Sequence, residues 1–260
     1  MENGMHLIKW SLALIACIAG TAMSGISLAA ETIEVVRANG SVAIKQGDQQ
    51  KDRPVASKSI LPAKHVLVTG PDGRAVVRIG EAGYIVVEKN TTIEINREKD
   101  HAQFLRQVTG MIYYAVNFVR GSQQPLEIRT ATATIGVRGT RFLVADLPER
   151  KEIGVRKGLV SVTSAGEDFE IHKKVQEDEF EAFKREAQEA IAEEKRKFSE
   201  YQADTEREFI EYKREFGLGA NRMATFDGNR VEERPLSDES KKDMETLEAY
   251  GKQWIAEVRD

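Results

Sequence analysis

Alternating apolar and polar positions organise the first two thirds of this chain. Val66-Leu67-Val68 runs into Gly70-Pro71-Asp72-Gly73, where proline presets one dihedral and glycine accepts positive φ, and Ala75 to Ile79 then resumes as a strand. Gly80-Glu81-Ala82-Gly83 breaks the chain before Tyr84-Ile85-Val86-Val87, and Thr91-Thr92-Ile93-Glu94-Ile95 alternates as a half-buried strand does. Similar runs follow at Met111 to Val119, Leu126 to Thr130, Thr140 to Ala145, Glu152 to Arg156 and Leu159 to Thr163. About ten short strands at regular spacing, with no useful helical stretch among them, predict an all-β roll or sandwich over residues 32–171.

The pattern changes near His172, where Val, Ile, Thr and Gly give way to Glu, Lys, Arg and Ala. Phe180, Phe183, Ala187, Ile191, Phe198, Tyr201, Phe209, Tyr212 and Phe216 then recur at helical spacing. The 36 positions from Phe180 to Phe216 equal ten turns, so the stripe stays on one side of a long charged helix predicted over residues 173–216, roughly 65 Å in length. Phe198/Phe209 and Tyr201/Tyr212 repeat at eleven residues, which suits a nearly straight or slightly right-handed coiled association rather than a heptad zipper. A linker over 217–236 and a second helix over 237–260 follow. In that helix Ser237 is the N-cap after Pro235, and Met244, Leu247, Trp254 and Val258 share one side. Together these predict an antiparallel helical hairpin whose surplus stripe packs on the β domain, self-associates or binds a partner. Acids outnumber bases on the long helix, which disfavours a membrane-lying role.

Between Lys9 and Glu31 there is no charge, and the apolar stretch from Trp10 ends in Ser27-Leu28-Ala29. This is the layout of a secretory signal peptide over residues 1–29, with small side chains where the peptidase needs them. Two alternatives stay open: Trp10 to Ala30 as an uncleaved anchor of roughly 20 residues, and Leu14-Ile15-Ala16-Cys17 as a lipid-attachment site. Cleavage near Ala29 removes the only cysteine, excluding disulfides and thiolate metal sites from an exported, periplasmic chain.

Lys and Arg number 38 against 42 Asp and Glu, a net charge of −4. Nucleic acid needs a concentrated basic surface and is therefore not an expected partner. His65, His101 and His172 have no metal-ligand spacing, and no nucleophile elbow, phosphate loop or His-Glu-x-x-His helix is present. Adjacent acids such as Glu193 and Glu194 lie on a charged, solvated face. No enzyme, cofactor or metal is expected.

The segment Thr134-Ile135-Gly136-Val137-Arg138-Gly139-Thr140-Arg141-Phe142 stands out. Gly136 and Gly139 permit backbone conformations or close approach that other residues resist, with Thr140 completing the turn. Arg138 and Arg141 project guanidinium forks able to grip a carboxylate at two points. That carboxylate is either internal, with Asp146 or Glu127 as candidates, or belongs to a protein partner or cell-wall peptide.

These residues carry a family resemblance. Gly40-Ser41-Val42, Thr69-Gly70 followed by Asp72-Gly73-Arg74-Ala75-Val76-Val77, Gly110 before an aromatic strand, Val137-Arg138-Gly139-Thr140-Arg141-Phe142 and Gly158-Leu159-Val160-Ser161-Val162 occur in the order of the FecR periplasmic domain. The chain resembles that family over Val36 to Ile171, with Ala63-Lys64 where the family usually has Gly-Asp. The resemblance implies an all-β fold and a role in binding or signal transmission without catalysis. Named regulators of the family place a sigma-factor-binding segment before a membrane helix, and this chain has only nine residues there, so a stand-alone exported copy of the module is expected.

The leading expectation is a periplasmic binding or scaffold protein that recognises an envelope protein or cell-wall component, with homo-oligomerisation through the helical tail. One alternative is a carbohydrate- or peptidoglycan-binding protein, for which Tyr113-Tyr114 is the only aromatic platform, possessing at most weak hydrolytic activity. A membrane-anchored signalling regulator is the second.

Overall fold

Alternation puts one side of each strand in a shared apolar interior, and two sheets result. The computed structural model describes residues 32–46, 53–62, 64–97, 103–117, 126–173 and 209–255. The strands of the first third are β1 (Ile33–Asn39), β2 (Val42–Gln46), β3 (Arg53–Pro54), β4 (Ser59–Leu61), β5 (His65–Thr69), β6 (Arg74–Ile79), β7 (Gly83–Val87) and β8 (Thr92–Arg97). Then come β9 (Gln103–Val116), β10 (Leu126–Arg129), β11 (Ala133–Val137), β12 (Arg141–Leu147), β13 (Arg150–Lys157), β14 (Leu159–Ser164) and β15 (Phe169–Lys173). After them stand β16 (Phe209–Lys213), β17 (Glu215–Gly219), β18 (Arg222–Asp227), β19 (Arg230–Pro235) and a single described helix, α1 (Asp238–Trp254).

Sheet A runs β4-β1-β6-β7-β9-β12-β13-β18-β19-β15-β16. Sheet B runs β3-β2-β5-β8-β9-β10-β11-β14-β17. All pairings are antiparallel except β9 with β10 and β15 with β19. Strand β9 belongs to both sheets. Its first half pairs with β8 and β10, its second half with β7 and β12, and it turns the corner at Gly110, whose φ is +100°.

One wiring pattern is used twice. In β5 to β8 the outer strands pair in sheet B and the inner two in sheet A, and β9 then extends both sheets beside β8 and β7. In β11 to β14 the same arrangement recurs, and β17 beside β14 with β18 beside β13 take the place of β9. Between β14 and β17 this second round is interrupted by the antiparallel pair β15–β16.

Two apolar layers follow from the alternation. Between the sheets lie residues such as Leu67, Ile85, Ile93, Ile112, Tyr114, Ile135, Phe142 and Val162. The opposite side of sheet A carries Val76, Tyr84, Val86, Tyr113, Leu143 and Met223, and these are covered by Met244, Leu247 and Ile255 together with Leu236. Helix α1 is therefore the lid of a second core. It lies close: a Cβ on Gly251 would stand 2.5 Å from Tyr84 Cε2, so this position accepts the cost of glycine inside a helix. Ser237 caps the helix, its Oγ accepting from Ser240 N at 3.2 Å. Ser237→Ala is expected to lower stability by about 1 kcal/mol, read as a shift in the denaturant midpoint at unchanged slope.

The all-β body and the C-terminal helix agree with the sequence reading, but the long helix does not extend to Phe216. Phe209 and Tyr212 lie in β16 and Phe216 in β17, and the expected linker over 217–236 is instead β17 to β19. The helical hairpin is likewise not what α1 forms, because its apolar side is spent on sheet A. Phe180, Phe183, Ile191, Phe198 and Tyr201 lie outside the described residues, as does the signal peptide read over 1–29. The physical reason lies in the pairing of the described residues: 209–213 pair with β15, Phe209 opposite Lys173, and 215–219 pair with β14, so their backbone groups are committed to strands.

Candidate functional site

The turn between β11 and β12 is where sequence reasoning placed recognition. Gly139 adopts φ +66°, a left-handed conformation that favours glycine, and Thr140 next to it is completely buried. Gly158 fits against this bend, since a Cβ there would stand 2.6 Å from Thr140 Cγ2. The Val-Arg-Gly-Thr and Gly-Leu-Val-Ser-Val segments are thus two sides of one packed corner. Gly136 differs. It lies inside β11 opposite Ser161, and an added Cβ would meet only ordinary contact at 3.8 Å.

The two arginines of the turn have separate fates. Arg141 is half-buried and donates from Nη1 to Val116 O at 2.7 Å and from Nη2 to Asn117 Oδ1 at 3.1 Å. It ties the end of β12 to the end of β9, and its fork is filled by neutral acceptors rather than a carboxylate. The acids expected beside these arginines have other partners: Asp146 pairs with Lys151 at 2.7 Å, and Glu127 with Arg129. Arg138 is exposed at the end of β11. Val137 faces Val160, so Arg138 and Leu159 share one end of the β11–β14 pair, and Leu159 is 62% exposed. A charged group beside an open leucine is the accessible part of the corner.

The aromatic platform is not there. Tyr113 and Tyr114 are both fully buried, on opposite sides of sheet A. Tyr114 stacks on Phe142 at 4.8 Å between ring centroids and donates to Gln107 Oε1 at 3.0 Å, while Tyr113 lies under α1. Burial pushes both phenols well above their usual range. Neither ring can meet a sugar.

A polar depression escaped the sequence reading because its residues are scattered. Asn39, Asp72, Arg74, Glu88, Lys89 and Tyr250 line an open hollow of about 240 Å³ between the Gly70 to Gly73 turn and α1. Arg74 holds Glu88 through Nη2 at 2.6 and 2.8 Å and stands 4.8 Å from the centre of the Tyr250 ring, and Asn39 Nδ2 donates to Tyr250 Oη at 2.7 Å. Hydrogen bonds from the Ser41 hydroxyl and N–H hold the Asp72 carboxyl below the usual carboxylate range. The Gly-Pro-Asp-Gly signal located the turn, but nothing in the sequence placed Tyr250 beside it. Among the described residues no group of His, Cys, Asp and Glu is arranged to hold a metal, and no helix is long and apolar enough to cross a membrane.

Comparison with known proteins adds three findings. No curated protein matches the chain. Two crystal structures of a "putative anti-sigma factor" from Parabacteroides distasonis, at 1.65 and 2.50 Å resolution, align at 12% and 13% identity with TM-scores of 0.45 and 0.42. These alignments cover 70% and 67% of this chain but only 64% and 61% of those chains, less than two thirds of their length. The family model described as FecR protein matches residues 65–161, which open at the first residue of β5 and close inside β14, so the matched segment runs from the first round of the repeated strand pattern into the second.

Proposed function

We propose that this protein is a non-catalytic binding module of the bacterial cell envelope, exported by its N-terminal segment, whose FecR domain recognises a protein or cell-wall partner. The observation that carries the reading is the FecR match over residues 65–161. The accessible part of that domain's most specific segment is Arg138 beside Leu159, a guanidinium suited to a carboxylate next to an apolar contact. Helix α1 closes the second core, so recognition falls to the β body rather than to a C-terminal helical tail.

Capture from envelope extract and co-sedimentation with purified cell wall test this directly. Arg138→Ala and Leu159→Asp are expected to reduce retention of the same partner about tenfold each, a loss of roughly 1.4 kcal/mol, with far-UV circular dichroism as the control for folding. Arg141→Ala is expected to lower the melting temperature, because it removes the side-chain bonds to Val116 and Asn117 that secure the end of β9. Equal retention by wild type, Arg138→Ala and Leu159→Asp would remove this corner from the binding surface.

A second reading, a membrane-anchored signalling regulator, is supported by the same FecR match. N-terminal sequencing of the exported protein separates the two. A start near Thr32 supports the free module, and retention of Trp10 to Ala30 supports the anchored regulator.

A further inference from the structure

Edge strands expose a row of unpaired backbone groups and are usually blunted. Two of the four sheet ends are blunted by length: β3 has two residues and carries Pro54, and β4 has three. Strands β16 and β17 have five residues each, and β17 contains Gly217 and Gly219. Strand β16 alone of these two combines exposed apolar side chains on one face with an acid and a base on the other. It has five residues, pairs with β15 along its whole length, and among the described residues has no strand on its other side. One face presents Ile210 and Tyr212, which are 45% and 69% exposed. The other carries Glu211, which bonds Lys213 at 2.7 Å and Lys173 at 3.3 Å, and these ammonium groups hold its carboxyl below the usual range.

We infer that β16 is a self-complementary edge, pairing antiparallel with β16 of a second copy around a two-fold axis at Tyr212. A two-fold axis perpendicular to the sheet keeps each side chain on its own face, so it must pass through a residue pair rather than between residues. Five centres are available, and the one at Phe209, the strand's first residue, pairs only that residue with itself within the strand. Centring on Glu211 sets two carboxylates opposite each other, and centring on Lys213 sets two ammonium groups opposite each other, both unfavourable. Centring on Ile210 pairs Glu211 with Phe209 and adds no charge pair between the copies. Only the Tyr212 centre places Glu211 of each copy opposite Lys213 of the other, twice, with the two exposed tyrosines adjacent and Ile210 beside them. The sequence Ile-Glu-Tyr-Lys thus reads as its own complement. Three residues a side, Glu211 to Lys213, pair within β16 about this centre, which is small against the roughly 1,600 Å² of a standard interface, so the dimer is weak and forms with rising concentration.

Sedimentation equilibrium of the exported chain over a wide concentration range provides the test, with far-UV circular dichroism as the control for folding. Wild type is expected to approach a dimer. Glu211→Lys and Lys213→Glu are each expected to raise the dimer dissociation constant about tenfold or more, since each sets like charges opposite in both contacts. An equimolar mixture of the two variants is expected to regain association as a heterodimer, because Lys then faces Glu at both contacts. A wild type that stays monomeric, single variants that dimerise as well as wild type, or a mixture that remains monomeric would each overturn the proposal. Loss of partner capture by Arg138→Ala has no bearing on this result, so the two surfaces fail or stand separately.

Discussion

Gly110→Ala is expected to destabilise the protein by about 4 kcal/mol, combining roughly 1–3 kcal/mol of backbone strain with roughly 1–3 kcal/mol of overpacking. Gly110 is where β9 leaves sheet B for sheet A, and it does so at φ +100°. A Cβ there would overlap the Thr91 side chain and stand 2.5 Å from Thr91 Cα. Thr91 cannot simply give way, because its Oγ1 accepts from Met111 N at 3.1 Å and donates to Lys89 O at 3.1 Å. The corner is further bound by Gln107, whose Nε2 donates to Gly110 O at 2.9 Å and to Val144 O at 3.2 Å. Removing the Thr91 side chain as well should not rescue the variant, since the backbone conflict and the positive φ remain. Gly136→Ala is the contrast. With ordinary φ and 3.8 Å of room, it is expected to be neutral or stabilising by about 0.5 kcal/mol. Denaturant unfolding of the pair measures both, and comparable losses would show that the corner is not special.

The same contrast explains what could be read from the sequence. The strands β5 to β8 and β12 to β14 were legible because strict alternation and strong turn residues coincide there, at Gly70-Pro71-Asp72-Gly73 and Gly80 to Gly83. Gly110 was legible as a strand opening but not as a pivot, since only the pairing of both halves of β9 reveals its place in the middle. The last third misled for a physical reason: Phe209, Tyr212 and Phe216 fall at spacings of three and four, which a helix and a pair of short strands joined at Arg214 satisfy alike. Contrary signals were present. Glu215-Phe216-Gly217-Leu218-Gly219 alternates, burying Phe216 and Leu218, and Gly228-Asn229 is the two-residue turn between β18 and β19, with φ +60° at the glycine. The recognition segment was located but its two arginines were indistinguishable, because the acceptors of Arg141, at Val116 and Asn117, lie on a strand 24 or more residues earlier.

Arg150→Met is expected to cost about 3 kcal/mol and to loosen α1 from sheet A. Arg150 is 18% exposed and Glu152 5%, a degree of burial at which removing one charge strands the other. Arg150 Nη2 meets Glu152 Oε1 at 2.7 Å, and Nη1 reaches Asp243 Oδ2 at 2.7 Å and Glu239 Oε1 at 3.3 Å, so one guanidinium joins β13 to the first turns of the helix. Ser240 Oγ donates to the same Glu152 oxygen at 2.7 Å. Without the arginine, Glu152 keeps one hydroxyl donor and faces two further carboxylates across the interface. Glu152→Gln in the Arg150→Met background should recover part of the loss, because it removes the stranded charge. The exposed Arg156–Glu248 pair, 2.8 Å apart, offers the comparison: breaking it should cost no more than about 1 kcal/mol. Hydrogen exchange of the α1 amides beside a thermal melt separates local from global effects. Faster exchange confined to α1 with a lowered melting temperature is the expected result, and unchanged exchange with a shift under about 2 °C would show that apolar packing alone holds the helix.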